Sequence, residues 1–367
     1  MILVKELFNT LKKNKISFFT GVPDSVLKNL LSYVNKFYNS KHIIAVNEGS
    51  AVSIGMGYYL STKKIPCVYL QNSGLGNAIN PLISIANQKV YSIPLLLIIG
   101  WRGSPNKKDE PQHMAKGKIT TRLLKLLDIN YCVLRDKKDL GSLSKLIKNA
   151  RITKKIVACL IENKILKSNK KYSQIKKKID LPYRRDFILQ LLKQISNDTK
   201  IISTTGYTSR ELAQIRKEKK LFKGKDFYMV GGMGHASMVS FGYSLNSKKQ
   251  VICLDGDGSI LMHLGSIRTF GYLGHSKLKH ILLNNNAHES VGGQPTTAAK
   301  IDFKKLVKSL GYKNYFKISK SEQMNFIIKS FLTSKGPSFL EVLINEGTLN
   351  NLSRPSDLIK IKNQFME

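Results

Sequence analysis

The sequence predicts an α/β protein made of two doubly wound domains with parallel sheets. Three observations carry this. Apolar, strand-like runs alternate with helical patterns through both halves of the 367-residue chain. Polar motifs sit just past several of those runs, where open α/β sheets bind ligands. A stretch poor in apolar residues, 163–182, separates the two halves.

In the first half, strands are expected near 18–19, 43–45, 67–70, 95–99 and 131–134, with helices over 6–14, 24–34 and 49–60. In the second half, strands are expected near 200–203, 227–229, 251–254, 281–283 and 339–344, with helices over 186–195, 238–245 and 303–310. The expected division is a first domain over 1–162, a basic linker over 163–182 and a second domain over 183–367. No apolar stretch of about 18 residues is present, so no membrane span is expected. The start, Met1-Ile2-Leu3-Val4-Lys5-Glu6, is charged too soon for a signal peptide. Cys67, Cys132, Cys159 and Cys253 are widely spaced in or beside apolar runs. They read as reduced core residues of a cytoplasmic protein, without zinc spacing.

The formal net charge is +36. Composition alone would then suggest a nucleic-acid-binding protein. The lysines are scattered, however, in a chain rich in Lys, Ile and Asn throughout. The densest basic stretch, 167–178 with Lys176-Lys177-Lys178, reads as a solvated linker rather than a nucleic-acid arm. No aromatic–basic interleaving supports nucleic acid, and no such partner is expected. A positive field would still steer an anionic substrate.

The most informative motif is Gly256-Asp257-Gly258-Ser259, followed 28 residues after the Asp by Asn285 in Asn284-Asn285-Asn286. The runs Val251-Ile252-Cys253-Leu254 and Ile281-Leu282-Leu283 place both motifs just past buried strands. Asp257 and Asn285 offer hard oxygen ligands. Mg²⁺ takes few such ligands from protein and keeps oxygens of a bound phosphate. Glycines on either side let the backbone approach that phosphate. A Gly-Asp-Gly alone is equally a turn, but the pair at this spacing reads as a metal–diphosphate site. The gap between them fits one amphipathic helix over 261–274 and one strand.

Other candidates each have a plainer reading. Glu48 starts a helix, where an acid suits the dipole. Asp24, after Gly21-Val22-Pro23, suits an N-cap. His113 falls in a loop-like segment rich in Gly, Pro and charge, where a histidine is usually just solvated. Met233, between two glycines, suits core filling. Ser290 to Pro295 suits a flexible loop. Arg102 suits an anion partner or an ordinary surface position.

Several strings turn these residues into a pattern. They are Thr20-Gly21-Val22-Pro23-Asp24-Ser25, Asn47-Glu48-Gly49, Gly100-Trp101-Arg102-Gly103 and Glu110-Pro111-Gln112-His113. In the second half they are Thr204-Thr205-Gly206, Gly232-Met233-Gly234-His235-Ala236-Ser237 and His288-Glu289-Ser290-Val291-Gly292-Gly293-Gln294-Pro295-Thr296. The chain resembles the thiamine diphosphate-dependent decarboxylases along nearly its whole length. It most resembles the phosphonopyruvate decarboxylase family, with the sulfopyruvate decarboxylases as close relatives.

The resemblance implies a pyrimidine-binding domain, a diphosphate-binding domain and no middle domain. It implies thiamine diphosphate and Mg²⁺ as cofactors, with Asp257, the Asn285 side chain and the Ala287 carbonyl as metal ligands. Thr205, Gly206, Gly258 and Ser259 become diphosphate contacts. Met233 becomes the wedge that bends the cofactor, and the Gly231 carbonyl a partner of its pyrimidine amine. Glu48 becomes the partner of the pyrimidine ring, driving loss of the thiazolium C2 proton. Asp24 and His113 become candidates for the remaining proton transfers, in an order the residues leave open. Arg102, Ser290 and Gln294 become candidates for the substrate tail. The family often has Gly where this chain has Asn286.

The implied activity is that of a lyase: decarboxylation of 3-phosphonopyruvate to phosphonoacetaldehyde and CO₂, in phosphonate biosynthesis. The substrate is a small anionic 2-keto acid. The active unit is a homo-oligomer with sites shared between chains. Sulfopyruvate, or another 2-keto acid, is the alternative substrate.

Overall fold

The computed structural model describes residues 1–105, 107–168 and 180–367. Most of the expected linker over 163–182, with Lys176-Lys177-Lys178, lies outside the described residues. The chain forms two compact units. One comprises Met1–Gln174 with Val291–Gln294, the other Ile175–Ser290 with Pro295–Glu367.

The first unit contains a six-stranded sheet: β1 (Phe19–Gly21), β2 (His42–Ile44), β3 (Cys67–Gln71), β4 (Leu96–Trp101), β5 (Asn130–Leu134) and β6 (Val157–Glu162). Every pairing is parallel, and the order is β2-β1-β3-β4-β6-β5. The second unit has β7 (Lys200–Ser203), β8 (Lys225–Tyr228), β9 (Val251–Gly256), β10 (Leu278–Asn284), β11 (Asn314–Ile318) and β12 (Ser338–Leu343). Its order is β8-β7-β9-β10-β12-β11, again all parallel. Strand for strand, this is the same topology. In each sheet the order reverses between the first and third strands of the unit, which opens a ligand crevice at their carboxyl ends.

Both faces of each sheet are covered, as parallel sheets require. Side chains alternate across β4: Leu96 and Ile98 enter one core, Leu97 and Ile99 the other. Ile252 and Leu254 of β9 face one core of the second unit, and Val251 and Cys253 face the other. The four cysteines are unpaired and three of them are buried. The described residues form no third domain, and no helix among them is long and apolar enough to cross a membrane.

Some expected elements differ. The helix expected over 24–34 spans Lys28–Phe37, because Asp24 folds its carboxylate onto the Val26 and Leu27 amides and closes a turn instead. The helix expected over 261–274 is two helices, Asp257–Met262 and Ser266–Leu273. His263 leaves helical geometry between them (φ −133°, ψ 54°). His113 is not in a loop but is the third residue of the helix Pro111–Leu126, whose first position suits Pro111. β6 and β11 were not expected as strands.

Candidate active site

The second unit gathers most of the expected residues at one place. Thr204 and Thr205 follow β7, Asp257 follows β9 and Asn285 follows β10, so the switch point collects them. Thr205, Met233, Asp257, Gly258, Ser259, Asn285, Ala287 and Ser290 line one cavity. Gly206 and Gly231 lie on the loops after β7 and β8 without lining it, and Gln294 is buried in the strand Gln294–Pro295.

Asp257 is 4% exposed. Its Oδ2 accepts the Thr296 hydroxyl at 2.6 Å. Burial pushes its carboxyl up to about 6, against the pull of Thr296, the helix-start amides and Arg184. A buried carboxylate held in this way favours a cation beside it. Asn285 and Ala287, which carry an amide and a backbone carbonyl oxygen, line the same cavity. This all-oxygen set fits a hard divalent cation, and the neighbouring hydroxyls and amides fit a phosphate.

Ser259 does more than line the cavity. Its hydroxyl pairs with Thr204 Oγ1 at 2.9 Å and accepts the Gly234 amide at 3.1 Å, which fixes the loop carrying Met233. Asn286 has a φ of +57°, in the region that favours glycine and that Asn tolerates.

The first unit builds a second cluster around the carboxyl ends of β1, β3 and β4. Asp24 is fully buried. Its Oδ1 accepts Gln71 Nε2 at 2.6 Å. Burial raises its pKa against that bond. The approach depends on a missing side chain, since a Cβ on Gly100 would stand 1.9 Å from Asp24 Oδ2. Glu48 opens the helix Glu48–Thr62, capped by Asn47, whose side chain accepts the Ser50 amide at 2.8 Å. The Glu48 carboxylate is buried, and its Oε2 accepts Asn77 Nδ2 at 2.8 Å. A Cβ on Gly74 would stand 2.1 Å from its Oε1. Burial raises the Glu48 pKa as well.

His113 is pushed down to about 4, first by burial and then by Arg102. Its Nδ1 is buried without a hydrogen-bond partner among the described residues, and its Nε2 lies 3.8 Å from Glu110 Oε1. Arg102 does not stand free on the surface. Its Nε and Nη2 donate to the two Asp109 oxygens at 2.7 and 2.5 Å, and Nη2 also reaches Glu110 Oε1 at 3.0 Å. Asp109 and Glu110 take up Nε and Nη2, and Nη1 reaches only Ser25 Oγ at 3.4 Å, so an anion would meet Arg102 at Nη1 or displace Asp109.

Sequence reasoning missed Gln71, Asn77, Thr296, Arg184 and Glu289. Gln71 ends β3 at the switch point, so the crevice rule could have found it. Arg184 and Glu289 lie 105 residues apart and meet only in the fold.

Residues 1–122 match the family described as thiamine pyrophosphate enzyme, N-terminal TPP binding domain. Residues 204–342 match thiamine pyrophosphate enzyme, C-terminal TPP binding domain. The chain belongs to the thiamine pyrophosphate enzymes, as the sequence motifs led us to expect. It is similar to the phosphonopyruvate decarboxylase of Streptomyces viridochromogenes, with 32% identity covering 93% of this chain and 88% of that one. It is similar also to the phosphonopyruvate decarboxylase of Streptomyces hygroscopicus, with 29% identity over 97% and 90% of the two chains. The sulfopyruvate decarboxylase of Methanosarcina acetivorans is 26% identical over 99% and 96%. The protein is thus a carboxy-lyase that uses thiamine pyrophosphate.

Proposed function

We propose that the protein decarboxylates 3-phosphonopyruvate to phosphonoacetaldehyde and CO₂, with thiamine diphosphate and Mg²⁺, in phosphonate biosynthesis in the cytoplasm. The observation that carries the cofactor reading is the oxygen-lined cavity at the switch point of the second sheet. The substrate reading is supported by two relatives named for phosphonopyruvate. Sulfopyruvate is the second reading, favoured by a relative matched over 99% of this chain and 96% of its own. The unpaired cysteines suit a reducing compartment.

Asp257, Asn285 and the Ala287 carbonyl would hold the metal. Thr205, Gly206, Gly258 and Ser259 would hold the diphosphate, Met233 would pack against the bound cofactor and the Gly231 carbonyl would accept from its pyrimidine amine. Thiamine diphosphate, when bound, supplies the electron sink for loss of CO₂. Glu48 would face the pyrimidine ring, with a carboxyl that burial raises above the usual carboxylate range. The Asp24 carboxyl, which burial raises as well, would serve as a proton donor or acceptor. His113, neutral because its pKa is depressed, would accept a proton or relay it. Arg102, Ser290 and Gln294 are the candidates for binding the anionic tail.

Release of CO₂ from phosphonopyruvate, sulfopyruvate and pyruvate, measured in parallel with added thiamine diphosphate and Mg²⁺, tests this directly. We expect kcat/KM for phosphonopyruvate to exceed that for sulfopyruvate by at least about tenfold. A reversed preference makes the second reading correct.

The active unit we propose is a homo-oligomer whose sites each draw on two chains. Glu48→Gln chains and Asp257→Ala chains, each inactive alone, should then complement one another. In a mixed dimer one site carries both lesions and the other carries neither. Random exchange should restore roughly a quarter of the wild-type activity. Verified exchange without recovery rules the shared site out.

A further inference from the structure

The cavity of the second unit rests on a buried ion network that the reaction itself does not require. Arg184, 4% exposed, opens the helix Arg184–Gln194. Its Nη2 donates to Glu289 Oε2 at 2.5 Å, and its Nη1 lies 3.6 Å from Glu211 Oε2. The other Glu289 oxygen accepts the Gly347 amide at 2.6 Å. Glu211, itself fully buried, accepts the Leu349 amide at 3.0 Å. The Glu289 carboxylate is therefore clamped from two sides.

Its third partner is Asn285, whose Nδ2 donates to the same Oε2 at 3.0 Å. An ionised carboxylate only accepts hydrogen bonds, so the amide must present nitrogen to it and oxygen elsewhere. The Ala287 amide donates to Asn285 Oδ1 at 3.0 Å, on the opposite side. That oxygen keeps one lone pair. A metal can use an asparagine only through this oxygen. An amide flipped by half a turn would offer two N–H donors to the cation instead.

We infer that Glu289, clamped by Arg184, is a positioning residue that fixes the amide of Asn285 with its oxygen toward the metal. The inference rests on the metal–diphosphate reading of the cavity. Groups that orient a metal ligand from behind commonly change metal affinity by about 10–100-fold when removed.

The test uses the full-length protein without substrate. The Mg²⁺ concentration that half-saturates thiamine diphosphate binding is read by calorimetry. Glu289→Gln should raise it by about 10–100-fold, with little change in the melting temperature of the cofactor-free protein. Asn285→Asp should also raise it, because two carboxylates then face each other. The double variant Asn285→Asp/Glu289→Gln turns an amide donor toward the new carboxylate at constant charge, at the cost of the Arg184 bond to the same atom, and should bind Mg²⁺ more tightly than either single variant.

That recovery is the decisive reading, and it stays available if either single variant folds poorly. Unchanged Mg²⁺ dependence in Glu289→Gln overturns the inference. So does a weakened single variant that the double exchange fails to rescue, which makes the network structural only. Absence of Mg²⁺-dependent binding in the wild type is a separate result, and it removes the metal–diphosphate reading itself.

Discussion

Asp257→Ala is expected to abolish Mg²⁺-dependent binding of thiamine diphosphate while the fold survives. The carboxylate is one of two lining the cavity, and the other, Glu289, is already paired with Arg184. Since removal of a supporting group alone commonly costs about 10–100-fold, loss of this ligand should exceed about 100-fold. The fold should tolerate the change for an electrostatic reason. Burial raises the Asp257 carboxyl from 3.8 to about 6. Between those values the folded state keeps a proton that the unfolded state has released. Stability of the cofactor-free protein therefore falls as pH rises through that window. At neutral pH the ionised carboxylate opposes folding, so alanine removes a cost along with the Thr296 hydrogen bond. Calorimetry with thiamine diphosphate and Mg²⁺ decides. Wild-type affinity in the variant would refute the metal role.

Glu48→Gln should fold and bind the cofactor, yet slow exchange of the C2 proton by about 10²–10⁴-fold, the usual range for one positioned acid or base. The amide keeps the size of the side chain in the space that Gly74 leaves open. It can still bond Asn77, but it cannot take up a proton. Deuterium incorporation at C2, followed by acid quench and NMR, reads the step without any substrate. An unchanged exchange rate would reduce Glu48 to the first residue of a helix.

The parts of the fold that the sequence revealed are those where one force dominates. β9 and β10 are apolar and buried along most of their length, so their runs stand out. β11 is a half-buried edge strand, and its pattern is correspondingly mixed. The helix Tyr207–Glu218 escaped because its buried face carries Thr208, Ser209 and Glu211 alongside only Leu212 and Ile215. Its Glu211 meets Leu349, 138 residues away, which no local pattern announces. The second-unit cavity was legible because its residues follow three strands at one switch point. Arg102 illustrates the limit. Its residue type suits an anion, but its bidentate pairing with Asp109 is a tertiary fact. Asp24 was found as a candidate, while its bond to Gln71, 47 residues away, was not.

The repeated strand order has a consequence for how such a protein can change over time. Each six-stranded sheet draws all its strands from its own half of the chain, and each has two cores of its own. Destabilising substitutions in one half are thus borne by that half's own packing. Substitutions around Arg102 and His113 are therefore expected to leave the two cores of the unit that carries Asp257 intact.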